Sequence, residues 1–198
     1  VRKLFSFDVE TGGVNPDVNE MLQLAFRVEF DGIVQEKKVM FMKPSNMDNV
    51  EPEALEVTGI TLEQIEKFVP QHQVFREFNG LLDKYINKYD KIDKFTVLGY
   101  NVDFDMRFLR SWFIRNGHKY FGSYFNNMCI DVFRDVDKWL YLSGIVLKDR
   151  KLSTVCEYFE ISLKAHDAME DIKATRKLAV RLHEELLKVD YGILGINQ

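Results

Sequence analysis

The sequence predicts an α/β domain in which helices pack on one mixed sheet. Three observations carry that expectation. The first third of the 198-residue chain is a series of apolar, strand-like runs. Asp31-Gly32 separates two of those runs at hairpin spacing. Beyond Pro44 the apolar residues recur mainly at helical spacing, interrupted by one further short apolar run.

KLFSFDV is a nearly continuous apolar run, as expected of a strand covered on both faces. MLQLAFRVEF alternates in its second half, with Leu24, Phe26, Val28 and Phe30 on one side. KKVMFMKP reads as a third strand stopped by Pro44, which completes an antiparallel meander. EPEALEVTGI forms a short helix or turn ending at Gly59. Thr61 and Gln64 have capping-box spacing at the start of the next helix. HQVFREFNGLLDKYINKY places Val74, Phe78, Leu81, Leu82 and Tyr85 on one helical face. FTVLGYN is a short strand closed by Gly99, and DFDMRFLRSWFIRNG a helix with Gly117 near its end. MCIDVFRDVDKWLYLSG and KLSTVCEYFEI read as two more helices. A last long helix runs from about Asp167 to Lys188. Its seam is Ala168, Ile172, Thr175, Ala179, Leu182 and Leu186.

A hydrophobic fraction of 46% and a charged fraction of 29% are ordinary for a globular protein. No repeat, low-complexity segment or linker interrupts the pattern, so residues 1–198 are expected to form a single domain. Cys129 and Cys156 have no partners at metal spacing and are expected to be buried, reduced thiols of a cytoplasmic protein. No apolar run has membrane-spanning length, and Asp8 and Glu10 stand where a signal peptide would be apolar, so no membrane association is expected. A net charge of −4 argues against a broad basic face for duplex DNA. It leaves room for nucleic acid through a local patch or through metal ions.

The informative residues are acids at element boundaries. Asp8 and Glu10 end the first strand. One residue apart, they share a face, while Val9 points to the core. Carboxylates are costly to carry into a core unless something compensates them. Asp103 and Asp105 lie where a strand gives way to a helix, and His166, Asp167, Glu170 and Asp171 open the last helix. Taken singly, Asp103, Asp167 and Glu170 are the acids that a helix macrodipole favours in a first turn. Taken together, the acids match a pair of divalent ions about 3.5–4 Å apart, which needs several carboxylates. Mg²⁺ prefers such oxygen ligands. The glycines of Thr11-Gly12-Gly13 let a backbone amide approach a phosphate closely.

FDVETGG, YNVDFD and HDAMED, in that order, resemble the three motifs of the DEDD superfamily of 3′–5′ exonucleases. The third has the His-x-Ala-x-x-Asp form of the DEDDh branch, and EALEVTGIT is similar to a Val-His-Gly-Ile-Thr stretch of the DnaQ-like members. The resemblance implies a ribonuclease H-like fold with a five-stranded mixed sheet. It implies hydrolysis of phosphodiester bonds from the 3′ end of nucleic acid, mainly single-stranded DNA, releasing nucleoside 5′-monophosphates. It selects Asp8, Glu10, Asp105 and Asp171 to hold two Mg²⁺ (or Mn²⁺) ions and His166 to take the proton of the attacking water. Histidine suits that role because its reference pKa of about 6.5 lies near neutrality.

For the substrate, Thr11, Gly12 and Gly13 are expected to cradle the terminal nucleotide through backbone amides. Val57, Ile60 and Phe104 either pack against unpaired bases or belong to the core. Asn101 either bonds the substrate or fixes the loop before Asp105. The segment from Lys164 to Asp167 is expected to move when substrate binds. Arg107, Arg110, Arg115, Lys148, Arg150 and Lys151 either contact a backbone or form a solvated face.

The sequence departs from the DnaQ-like pattern at Tyr100 and Thr58, where His is common. Both lie near the substrate end, which leaves open an RNA-trimming exoribonuclease similar to ribonuclease T or oligoribonuclease. A non-catalytic nucleic-acid-binding module on the same fold is the other alternative, against which all five motif residues are intact. The short tail DYGILGINQ favours a stand-alone enzyme, with a polymerase or replication partner as the other arrangement.

Overall fold

The computed structural model describes residues 1–163 and 167–189. Three strands open the chain: β1 (Lys3–Thr11), β2 (Met21–Phe30) and β3 (Ile33–Lys43). They pair antiparallel as a meander. Asp31 and Gly32 both have positive φ, 46° and 87°. That geometry matches the strand twist of a two-residue hairpin, and β3 accordingly begins directly at Ile33.

Helices α1 (Pro52–Thr58) and α2 (Leu62–Lys67) follow. The capping box forms in both directions: Gln64 N–H donates to Thr61 Oγ1 at 3.2 Å, and Thr61 N–H to Gln64 Oε1 at 2.8 Å. The remaining elements are β4 (Val69–Pro70), α3 (Gln71–Tyr85), β5 (Phe95–Gly99), α4 (Val102–Arg115), α5 (Phe121–Tyr124), β6 (Phe125–Asp131), α6 (Val132–Ser143), α7 (Leu152–Tyr158) and α8 (Ala168–Lys188).

The strand order is β4-β3-β2-β1-β5-β6, with β5 parallel to β1 and β6 parallel to β5. The sheet therefore has six strands rather than five. The extra one, β4, is two residues long, pairs with Met42 and Lys43, and ends in Pro70, which has no N–H to offer a neighbour. The second correction concerns β6. Met128 to Asp131 read as the start of a helix, yet they are strand, and α6 starts only at Val132. Asp131 makes the break by accepting the Phe133 N–H at 3.1 Å as N-cap. As an edge strand, β6 leaves Met128, Cys129 and Ile130 exposed, so it carries no alternation for a sequence reading to find. Cys129 is thus exposed, against expectation, whereas Cys156 is buried.

β1 is central and covered on both faces. Its odd residues Phe5, Phe7 and Val9 join Phe26, Phe78 and Trp112 in the larger core. Leu4, on the other face, packs against a second core containing Val136, Trp139, Leu178 and Leu182. Helix α8 is tied to this second face by charge as well as by packing. Glu29 of β2 is 1% exposed and pairs with Arg27 at 2.7 Å and with Arg176 of α8 at 2.5 Å. Buried ions of this kind are tolerated only when partnered. Among the described residues no helix is long and apolar enough to cross a membrane.

Candidate active site

The site forms where β1 outruns its neighbour. β1 pairs with β5 only through Leu4, Phe5 and Ser6, so its C-terminal half is clear on that side. There the Val9 N–H donates to Asp105 Oδ1 at 3.1 Å. Asp105 stands in the first turn of α4 and is 5% exposed. Asn101, just before that helix, takes left-handed φ and ψ of 58° and 46°, a conformation that asparagine tolerates better than most residues. The Asn101 N–H donates to Asp131 Oδ1 at 2.9 Å. That bond ties the backbone before α4 to the end of β6.

Asp171 arrives from the other side. Ala25 lies opposite Asp8 in the β1–β2 register and packs with Ala168 and Ile172. A side chain this small lets the first turn of α8 settle on the sheet beside Asp8. Asp167 caps that turn, accepting the N–H groups of Met169 and Glu170. The bystander acids are accounted for: Asp103 pairs with Arg107 at 3.5 Å and Glu170 with Lys173 at 2.5 Å. His166 and the segment 164–166 lie outside the described residues.

The four carboxylates feel one another. Burial raises Asp8 well above its ordinary value, and the charges of Asp105, Glu10 and Asp171 push it further. Burial and then Asp171 raise Glu10 to about 7. Burial raises Asp105 to about 8; the Val9 and Asp105 backbone N–H groups oppose the shift, and Glu10 and Asp131 add to it. Acids on three elements, desolvated and mutually repelling, suit a hard divalent cation in donor chemistry. As they stand, no group of three or more His, Cys, Asp or Glu side chains among the described residues is placed to hold a metal ion.

A groove of about 240 Å³ opens beside Glu10, walled by Thr11, Gly13, Val14, Val57 and Phe104. Val57 and Phe104 thus line this groove. Ile60 does not; it is 7% exposed and packs with Leu22 and Ile65. The Gly12 amide is also unavailable to a nucleotide, because its N–H donates to the Glu20 carbonyl at 2.9 Å. Thr11 Oγ1 donates to the Gly13 carbonyl at 2.6 Å and shapes the turn. Thr58 borders the groove. Tyr100 is turned to structural use, its hydroxyl donating to the Arg150 carbonyl and its ring edge-on to Phe133 at 5.5 Å. Arg150 and Lys148 are ion-paired with Asp137 and Glu157.

Asn19 is a contributor that the motifs do not reveal. Its side chain accepts the Asn15 N–H at 2.8 Å and donates to the Asn49 carbonyl at 2.8 Å and to Glu51 at 3.1 Å. It thereby joins the loop after β1 to the entry of α1. A Cβ on Gly13 would overlap the Asn19 carboxamide, so this glycine is needed for close approach. Gly13→Ala is expected to cost about 1–3 kcal/mol through overpacking. Thermal melting should show a Tm lower by several degrees, and an unchanged Tm would remove Asn19 from this role.

The family model described as Exonuclease (RNase_T) matches residues 5–179. The DNA polymerase III PolC-type protein of Thermotoga petrophila is 28% identical over 194 residues, 96% of this chain and 12% of the polymerase. That of Halalkalibacterium halodurans is 28% identical over 185 residues, 93% of this chain and again 12% of the relative. The chain thus spans a small part of the relatives it matches. E. coli exonuclease I in complex with a dT13 oligonucleotide superposes with a TM-score of 0.73 at 24% identity, over 92% of this chain and 41% of that one. Another exonuclease I structure gives 0.74 at 25% identity, over 95% and 44%. The architecture, the order of the acidic motifs and the family match agree: the chain belongs to the Exonuclease family, in its DEDDh branch of 3′–5′ exonucleases.

Proposed function

We propose that this chain removes nucleotides from the 3′ end of single-stranded DNA, hydrolysing each terminal phosphodiester to a nucleoside 5′-monophosphate and a new 3′ hydroxyl. One observation carries the reading: Asp8, Glu10, Asp105 and Asp171, from three elements, repel one another beside a groove with room for a terminal base. These four carboxylates would hold Mg²⁺ or Mn²⁺, two ions in all. Ions bound there supply Lewis-acid stabilisation of the charge that develops on the phosphate and the leaving oxygen.

The chain's own groups supply the rest. Val9 N–H holds Asp105 Oδ1, which orients that carboxylate. Val57 and Phe104 flank the terminal base, and the turn at Thr11–Gly13 limits how far the 3′ end can advance. His166 takes the proton of the attacking water as the bond to the leaving 3′ oxygen breaks. DNA is the favoured substrate because exonuclease I is described with a dT13 oligonucleotide and the PolC-type relatives are DNA polymerases. The same relatives support a replication context, within or beside a polymerase.

The test is incubation with matched 5′-labelled single-stranded DNA and RNA in Mg²⁺, Mn²⁺ or EDTA. A metal-dependent ladder shortening from the 3′ end is expected, faster on DNA. Faster loss of RNA would move the substrate to the exoribonuclease class. Binding without shortening of either strand would leave a binding module.

A further inference from the structure

The loop and the helix that border the groove at Val14 and Phe104 border a second hollow farther along. This cavity, of about 480 Å³, lies between Asn15, Pro16 and Asp17 on one side and Arg107, Arg110 and Ile114 on the other. Its two walls continue those of the first. Val14 and Phe104 border the groove, and the next residues of the same loop and the next turns of the same helix border the cavity. The loop wall is held in place by α4 itself. Ser111 Oγ donates to the Pro16 carbonyl at 2.7 Å, and Arg115 donates to the Pro16 and Asn19 carbonyls at 2.8 and 2.9 Å.

The charge of this cleft is opposite to that of the chain, which is −4 overall. Arg107 is 56% exposed, with Asp103 at 3.5 Å as its neighbour. The Arg110 guanidinium lies 4.5 Å over the Phe121 ring, a cation–π contact on the helix side of the cleft. Asp17 is the acid on the facing wall. From Phe104 to Ile114 is ten residues of helix, about 15 Å at about 1.5 Å per residue. That is room for about four nucleotides at a stacked spacing of about 3.4 Å.

We propose that this cleft is the track for the strand upstream of the reacting 3′ end, with Arg107 and Arg110 contacting the phosphate backbone of single-stranded nucleic acid. The proposal rests on the exonuclease reading for its direction, since the 3′ end must lie at Asp105. Bases stack or point outward along the track, so it binds without sequence preference.

The test is fluorescence anisotropy with 5′-labelled oligothymidylates of about two to eight nucleotides in EDTA, where no shortening occurs. Affinity for the wild-type protein is expected to rise about tenfold as the strand lengthens to about four to six nucleotides, then level off. In the Arg107→Ala/Arg110→Ala double variant that gain is lost, and the log–log salt slope falls by about 1.4, about 0.7 per phosphate contact. The Arg107→Lys/Arg110→Lys variant restores the slope, and equal Tm values for the three proteins exclude misfolding. A wild-type affinity that ignores length, or an alanine variant that keeps the gain, overturns the track. Shortening in Mg²⁺ is scored separately. If it is absent while length-dependent binding persists, the exonuclease reading fails and the surface remains.

Discussion

Asp105→Asn is expected to lower exonuclease turnover by at least ~10³-fold while leaving the fold intact. The two halves of that result come from different atoms. An asparagine still offers an oxygen to the Val9 N–H, so the bond that ties α4 to β1 survives. What disappears is the negative charge, and with it one of four carboxylates proposed to hold the cations. Repulsion of Asp8 by Asp105 also disappears, so the metal-free variant should melt no lower than the wild type. Single-turnover rates on a labelled single strand in Mg²⁺, with melting curves in EDTA, measure both. Retention of more than about a tenth of the rate would remove Asp105 from the metal-binding set.

The second large effect is the dependence of stability on pH without metal. Glu10 and Asp105 are raised to about 7 and about 8, and Asp8 is raised as well. Between about pH 4 and pH 8 the folded protein therefore binds more protons than the unfolded chain. Stability from these groups is complete below their unfolded values of about 4 and is lost as pH rises through the folded values. In EDTA the Tm should fall by roughly 5 °C or more between about pH 5 and pH 8.5. Mg²⁺ should recover most of that loss at the alkaline end and do little at pH 5, where the carboxyls hold protons instead. Asp105→Asn should flatten the profile. A metal-free Tm that is level across the window, or an equal Mg²⁺ shift at both ends, would contradict a coupled cation site.

The parts legible in the sequence are those where one residue type has one physical use. Asp31-Gly32 gave the hairpin because few other pairs accept positive φ twice. Asp8 and Glu10 were visible because acids at the end of an apolar strand have no packing explanation. β6 was not legible: a half-exposed edge strand has no period, and the helix capped by Asp131 masked it. Nor were the roles of Gly12, Gly13 and Ile60. A glycine signals free backbone but not who uses it, and here Glu20 and Asn19 do. An apolar residue beside a motif signals contact but not with what, and Ile60 meets Leu22 rather than the groove.

The bond from Val9 to Asp105 has a consequence for how such a site records itself in a sequence. Its donor is a main-chain group, so any residue but proline at position 9 supplies it. An aligned set of sequences registers side chains, and there this position would carry no more information than a generic apolar slot. Val9→Pro would delete the donor that holds Asp105, whereas Val9→Ile would retain it. Part of the site's architecture is thus stored in backbone geometry, where substitution patterns are silent.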